Sequence, residues 1–295
     1  MKLPAMKCPV CNQCSFTECG ATGVYAVRRC THCGMGITFP APSFAESANV
    51  NQEKYQLRKC IQTYGSRKKY FSKRYRRQLR DIRAFKAGGT LLDVGCNIGA
   101  FLTEARDAGF QTAGVEMNRE CAEYAHSQLG LDVFNGRLDQ AGFADGAFDV
   151  VTLYDVLEHV PEPTRLLQEI RRILKPTGLL VVQSPNIDSL MANWTKTEWQ
   201  WLCLPDHLFH FTPTTLATLI GQSGFEVQAV RTWEPADVFW DNILQLDLRK
   251  RPVQRIARKV FQISGLAVPL TTLFQRIWWS RQKGGLIELL AINNP

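Results

Sequence analysis

Three sets of residues carry side chains able to do chemistry. The first is four cysteines in two pairs, Cys8-x2-Cys11 and Cys30-x2-Cys33, with eighteen residues between the pairs. Four thiolates at that spacing can close a tetrahedron, the pattern of a structural zinc ribbon. A module of about forty residues buries little core, so a metal is expected to hold it together. Disulfides are the competing explanation, one that a cytosolic chain rarely uses. Cys14 and Cys19 read as free thiols beside the two knuckles, and Cys60, Cys96, Cys121 and Cys203 as small core residues.

The second set surrounds a turn. Leu91-Leu92-Asp93-Val94 is an apolar run that meets Gly95-Cys96-Asn97-Ile98-Gly99 and then Ala100-Phe101 at helical spacing. That order reads as a buried parallel strand turning tightly into a helix, a nucleotide-cradling turn. Glycine at 95 and 99 lets the backbone bend and lets a ligand approach closely. Twenty-one residues past Gly95 a second short strand ends on Glu116, where a carboxylate would hold a ribose diol. A dinucleotide fingerprint would need glycine where Asn97 stands, which weakens a nicotinamide reading; Asn tolerates left-handed backbone better than most residues.

The third set is Asp155, Glu158 and His159. A helix beginning near Asp155 would put all three on one face, at i, i+3 and i+4. Carboxylates and an imidazole on one face suit general acid–base work, as does the later His207; the same stretch equally serves to cap a helix and shape a pocket.

Positioning these groups takes an α/β scaffold. The pattern predicts strands at 90–95, 112–116, 132–134, 147–154 and 179–184, and helices at 99–108 and 119–128. A further amphipathic helix carries Leu166, Leu167, Ile170, Ile173 and Leu174 and is stopped by Lys175-Pro176-Thr177-Gly178. Phe225 to Trp233 and Leu286 to Asn293 read as the last two strands, and residues 188–211, rich in Trp and His, as an aromatic loop over the carboxyl edge of the sheet. The expected organisation is a zinc ribbon at 1–42, a linker with basic-aromatic cap helices at 43–86, and an α/β domain at 87–295 with a basic helical insertion at 240–283.

The turn Asp93-x-Gly95-x-x-x-Gly99 resembles motif I of class I S-adenosylmethionine (SAM) methyltransferases, and residues 146–184 look like the strand 4, helix and strand 5 block of that superfamily. The resemblance covers roughly residues 85–232 and is nearest to the ubiquinone-biosynthesis O-methyltransferase type with its E-x-x-E-H motif, where this chain has Asp155-Val-Leu-Glu158-His159. It implies a Rossmann-like, seven-stranded doubly wound sheet. It also implies that Gly95, Cys96, Asn97 and Gly99 meet the methionine end of SAM, Asp93 orders the loop through water, Glu116 takes the ribose hydroxyls and Met117 packs on adenine. Arg137 stands where the family often has an acid, so Asp139 or the Leu138 backbone must serve there, and Tyr154 closes strand 4 beside the donor. Asp155, His159 and His207 are the catalytic candidates. In relatives with E-x-x-E-H, a trio such as Asp155, Glu158 and His159 with a later His, here His207, binds a divalent metal of the Mg, Mn or Zn kind.

Net charge is +8, and it is uneven. Residues 58–86 hold twelve Lys/Arg against the single Asp81, and residues 248–287 hold nine with no acid. An acidic body with two basic runs points at an anionic partner. In the insertion, Val253, Ile256, Ala257, Val260 and Phe261 form an apolar stripe beside Arg255, Arg258 and Lys259, with Trp278-Trp279 nearby, which suits a helix on an anionic membrane surface. No secretory leader follows Met1, and the most apolar late segment, Ile263 to Phe274, is short of the ~20 residues that span a bilayer. The expectation is a cytoplasmic chain, peripheral on the inner face of the membrane, that methylates a small-molecule, glycan or lipid-linked acceptor, by O-methylation. An RNA methyltransferase using the ribbon and basic runs is the alternative, and a non-catalytic SAM-binding scaffold a third.

Overall fold

The computed structural model describes residues 7–42, 56–235 and 277–294. Strands β1 (Phe16–Thr22), β2 (Tyr25–Cys30) and β3 (Gly36–Phe39) are followed by helices α1 (Leu57–Ser66) and α2 (Lys68–Arg83). Strand and helix then alternate: β4 (Gly89–Val94), α3 (Ala100–Asp107), β5 (Phe110–Glu116), α4 (Arg119–Leu129), β6 (Asp132–Asn135), β7 (Phe148–Tyr154), α5 (Pro163–Ile173) and β8 (Leu174–Pro185). The remainder is α6 (Leu190–Thr195), β9 (Phe209–His210), α7 (Pro213–Gln222), β10 (Phe225–Trp233) and β11 (Leu286–Asn293).

The larger sheet has seven strands in the order β10-β11-β8-β7-β4-β5-β6. Pairs β4–β5, β5–β6, β4–β7 and β7–β8 are parallel. The chain enters at β4, works outward to β6, then returns to β7 on the other flank of β4. That reversal opens a crevice beyond the carboxyl ends of β4 and β7, where open α/β sheets bind ligands. Leu91, Leu92, Val150, Val151, Leu153, Leu179, Leu180 and Val182 are fully buried, as strands covered on both faces require. The doubly wound sheet expected from the sequence is therefore present.

Two local expectations differ. Lys175-Pro176-Thr177-Gly178 does not separate helix from strand: the chain is extended from Leu174 to Pro185. Its pairing with β7 jumps between Phe148↔Leu174 and Val150↔Leu179, so these residues loop out as an irregularity with Thr177 at φ 61°. Residues 188–211 are not one loop either, because they hold α6 and β9.

Two compact units are formed. One gathers residues 7–42, 184–218, 230–235 and 277–288; the other holds 56–183, 219–229 and 289–294. In the first, β1, β2, β3 and β9 make an antiparallel sheet with the register Gly36↔His210 and Ile37↔Phe209 across β3 and β9. Its core joins Val27 of the hairpin to Met191, Ala192, Trp199 and Leu202. Trp278, expected at a lipid interface, packs against this core instead. The second unit is built around Leu91, Phe101, Leu102, Val150, Leu179 and Leu290, with Leu79 and Ile82 of α2 joining them. Most of the basic insertion, residues 240–276, lies outside the described residues. Among the described residues no helix is long and apolar enough to cross a membrane.

Candidate functional site

The turn after β4 takes its shape from three left-handed residues, Gly95 at φ 75°, Asn97 at 51° and Gly99 at 77°. A Cβ on Gly95 would come within 2.6 Å of Val156 Cγ2, and one on Gly99 within 2.4 Å of Leu131 Cδ1, so both glycines answer to crowding as well as to φ. Gly95 N donates to Val115 O at 2.7 Å and Gly99 N to Cys96 O at 3.0 Å, which closes the turn on the end of β5. Cys96 is buried, its Sγ packed where a Cβ on Gly114 would lie only 2.7 Å away. Its side chain thus belongs to the core, and only its backbone belongs to the turn.

Glu116 is the hinge of this arrangement. Its Oε2 accepts from Asn97 N at 2.8 Å and its Oε1 from Asn118 N at 2.7 Å. One carboxylate thus ties the glycine turn to the loop entering α4. Burial raises its pKa, against the lowering effect of those amides. Each oxygen keeps a lone pair after these bonds, enough to accept from a vicinal diol. Met117, 61% exposed, offers an apolar surface at the lip. Asn135 Nδ2 donates to the carbonyls of Glu116 at 2.9 Å and Met117 at 3.2 Å, fixing that lip. Next to it Leu138 is buried in a 3₁₀ turn, while the Asp139 carboxylate is engaged by Arg137 at 2.8 Å and Arg165 at 3.5 Å.

Asp93 lies beneath the turn, buried, with Oδ1 accepting from Thr152 Oγ1 at 2.7 Å. Burial pushes its pKa up to about 7, the Thr152 bond opposing it. Beyond β7, Asp155 is left-handed at φ 59°, and the helical turn that follows is a 3₁₀ turn at Leu157–His159. The α-helical face expected from Asp155 through His159 does not form, because the chain must reverse sharply at Asp155 before it can coil. Glu158 is fully buried on that turn and His159 half-buried.

Asp155 is instead the centre of a polar chain. Its Oδ1 accepts from Gln183 Nε2 at 2.8 Å, its Oδ2 from Arg74 Nη2 at 3.4 Å, and Gln78 Nε2 donates to Gln183 Oε1 at 3.3 Å. Helix α2 is thereby bonded to the carboxyl ends of β7 and β8. Alongside runs a chain of ring contacts: Phe71 stacks on Tyr75 at 5.9 Å, and Tyr75 meets Phe101 at 5.5 Å and Phe101 meets Tyr154 at 4.9 Å between centroids, both edge to face. Sequence reasoning missed Arg74, Gln78 and Gln183. Arg74 was one cation among twelve; the signal that sets it apart is its place on the inner, aromatic face of α2, with Lys69, Lys73, Arg76, Arg80 and Arg83 on the outer one.

In the other unit the four cysteines come together. Cys8 and Cys33 Sγ are 3.5 Å apart, Cys11 and Cys30 Sγ 3.4 Å, and all four sulfurs lie within 4.8 Å of one another. Tetrahedral Zn–S bonds of about 2.3 Å would set sulfurs ~3.8 Å apart, so the donor set fits. Matching turns present them, with Asn12 N bonded to Cys8 O and Gly34 N to Cys30 O, each at 2.9 Å. Cys14 and Cys19 are exposed and outside this group. His207 is buried, and its carbonyl accepts from Thr38 Oγ1. Since that hydroxyl has spent its proton, it accepts from His210 Nε2 at 3.0 Å, which assigns the neutral His210 its Nε2–H tautomer. Burial holds the His210 pKa down to about 3.

Comparison with known proteins agrees with this geometry. The model of a methyltransferase domain family matches residues 66–230. The chain is 30% identical to the ubiquinone biosynthesis O-methyltransferase of Haemophilus ducreyi, over 52% of this chain and 74% of that one. It is 29% identical to the ubiquinone biosynthesis O-methyltransferase of Thiobacillus denitrificans, over 50% and 69%. The crystal structure of a SAM-dependent methyltransferase from Thermotoga maritima superposes with a TM-score of 0.55 at 17% identity, covering 84% of this chain and all of that one, a likeness of fold. Strand order, glycine turn, the carboxylate at the end of β5 and family match converge: this chain is a class I SAM-dependent methyltransferase and belongs to that methyltransferase domain family.

Proposed function

We propose that the enzyme methylates a hydroxyl of a small-molecule, glycan or lipid-linked acceptor beside an anionic membrane surface. The observation that carries this reading is the junction of α2 with the strand ends, where Arg74, Gln78, Gln183 and Asp155 form one polar chain beside the contacting rings of Phe71, Tyr75, Phe101 and Tyr154. A roof of amides, a guanidinium and aromatic rings suits a compact polar acceptor. SAM, when bound, supplies an electrophilic methyl group on its sulfonium, and the protein's part is to orient, dehydrate and move one proton. Gly95 to Gly99 would hold its methionine end, Glu116 its ribose diol, and Met117 and Leu138 its adenine. His159 would take the acceptor's proton, with His207 the second candidate. The engagement of Asp155 by Arg74 and Gln183 favours an orienting role for that carboxylate over one as a divalent-metal ligand. Cys8, Cys11, Cys30 and Cys33 would hold a structural zinc ion. The exposed cations of α2 support an anionic partner, for which RNA is the second reading.

The test is transfer of label from tritiated SAM into a host-cell extract, with and without RNase, partitioned between aqueous and organic phases. Label that survives RNase and enters the organic or glycolipid fraction is the expected result. Loss of label to RNase would replace it with the RNA reading, and absence of label from every fraction would favour a scaffold without turnover.

A further inference from the structure

The ribbon unit buries an acid that nothing pairs. Glu234 directly follows β10 and is only 4% exposed. Among the described residues its Oε1 has no hydrogen-bond partner. Burial alone pushes its pKa up to about 8, with no described cation to counter it. An isolated carboxyl in such a place costs the fold free energy that an apolar side chain would not.

The backbone around it is shaped for close approach. Gly284 and Gly285 precede β11, and neither is left-handed, so crowding rather than φ calls for glycine there. A Cβ on Gly285 would lie 2.7 Å from Glu234 Oε1 and 2.4 Å from Trp201 Cζ3, and one on Gly284 would lie 2.5 Å from Trp233 N. The acid and the indole of Trp201 therefore meet over a single glycine. Fully buried Asn186 fixes this floor: its backbone amide donates to Gly285 O at 2.8 Å and its side chain to Gly284 O at 2.9 Å. Gly284 N in turn donates to Thr232 Oγ1 at 3.0 Å. Trp199 backs Trp201 edge to face, with centroids 6.0 Å apart. Trp201 is only half-buried, so the corner is reached past its ring.

We propose that Glu234 and Trp201 form a binding site for a primary ammonium group. A cation is the occupant that uses both walls of the corner. It donates the hydrogen bond that Oε1 lacks, restores the carboxyl to its charged form, and is drawn to the electron-rich indole beside it. A hydroxyl would supply one bond and leave the acid neutral, and an anion would be repelled by the ionised acid. The site lies within the ribbon unit and does not rest on the acceptor proposed above, so its failure leaves that reading intact.

The experiment follows the indole N–H resonances of the full, metal-loaded, nitrogen-labelled chain at pH 8 and fixed ionic strength. The probes are n-propylammonium chloride and, as a neutral control of like size, n-propanol. An alkylammonium stays charged at that pH, its pKa being about 10.4 by analogy with lysine. The Trp201 resonance, assigned through Trp201→Phe, should shift with the cation and saturate, with half-saturation at about 10 mM or below, and propanol should leave it in place. Glu234→Gln keeps the side-chain volume, so it should retain the parent's indole spectrum and bind the cation roughly tenfold more weakly or worse. Should that variant not fold, the contrast between cation and alcohol on the unmodified chain decides alone. A Trp201 resonance that follows both probes equally, one that neither probe moves, or a Glu234→Gln chain that binds like the parent would each overturn the site.

Discussion

The glycine-turn cradle and the four-cysteine unit are assembled from different resources. The cradle comes from a nearly continuous stretch, β4 through the turn after β7, and a buried parallel sheet aims it. Its polar centre, Glu116, is secured by two backbone amides that arrive by short routes. The ribbon unit collects segments far apart in the chain, closes its sheet with a two-residue strand, and rests on a small core around Val27, Met191 and Trp199. A sheet with so small a core has little besides its four-cysteine cluster to brace it, whereas the cradle is braced by a parallel sheet and one buried carboxylate.

That contrast can be broken most severely at Cys30. Cys30→Ser should lose bound zinc, measured by atomic emission, and hydrogen exchange should become fast across 7–42 while β4, β5 and β7 stay protected. Metal content unchanged from the parent would refute the four-thiolate centre. Next in size is Glu116→Ala, which removes two charge-assisted bonds to backbone as well as the diol acceptor. SAM affinity should fall by about 100-fold or more, and a loss under about fivefold would mean that the carboxylate is not the ribose contact. Gly99→Ala forces a Cβ into Leu131 at a left-handed residue, so unfolding in urea should show about 1–3 kcal/mol of lost stability. A neutral result would mean that α3 and α4 can shift to make room.

The smallest effect sharpens the comparison through pH. Asp93 has its pKa raised to about 7 by burial, so its contribution is full below the unfolded value and is lost as pH rises toward 7. His210 has its pKa lowered to about 3, so its contribution is full above about 6.5 and is lost as pH falls toward 3. Each slope is at most about 1.4 kcal/mol per pH unit. Between those limits the cradle should weaken with base and the ribbon unit with acid. Asp93→Asn should flatten the first and His210→Gln the second, read as urea midpoints at pH 5 and pH 8; parallel responses of both variants would refute the assignment.

How far these regions could be read from sequence follows the same division. The strands, the glycine turn and Glu116 were legible because their signals are local: an apolar run, a pair of glycines, a carboxylate at the end of the next strand. That the four cysteines come together was legible from the spacing of their two pairs. Asp155 was not, because a helical spacing of three and four residues says nothing of the left-handed reversal that precedes the 3₁₀ turn. Nor were its partners, since Arg74 lies 81 residues away and the Gln78–Gln183 bond spans 105. The bond between Thr38 and His210 spans 172 residues, and no periodicity reports a contact at that range. Trp199 and Trp201 were misread for a related reason: their apolar surface marked a core shared with the ribbon hairpin.

The pairing of β3 with β9 limits how this molecule can be cut and recombined. Residues 7–42 carry both cysteine pairs, yet the strand that covers the outer edge of β3 is encoded about 170 positions later, at Phe209 and His210. A chimera that transplants the amino-terminal piece alone would export a sheet with bare amide and carbonyl groups along one side, a template for fibril-like stacking in its new host. The ribbon is therefore not a portable cassette, and a working transplant would have to carry the Phe209–His210 strand with it.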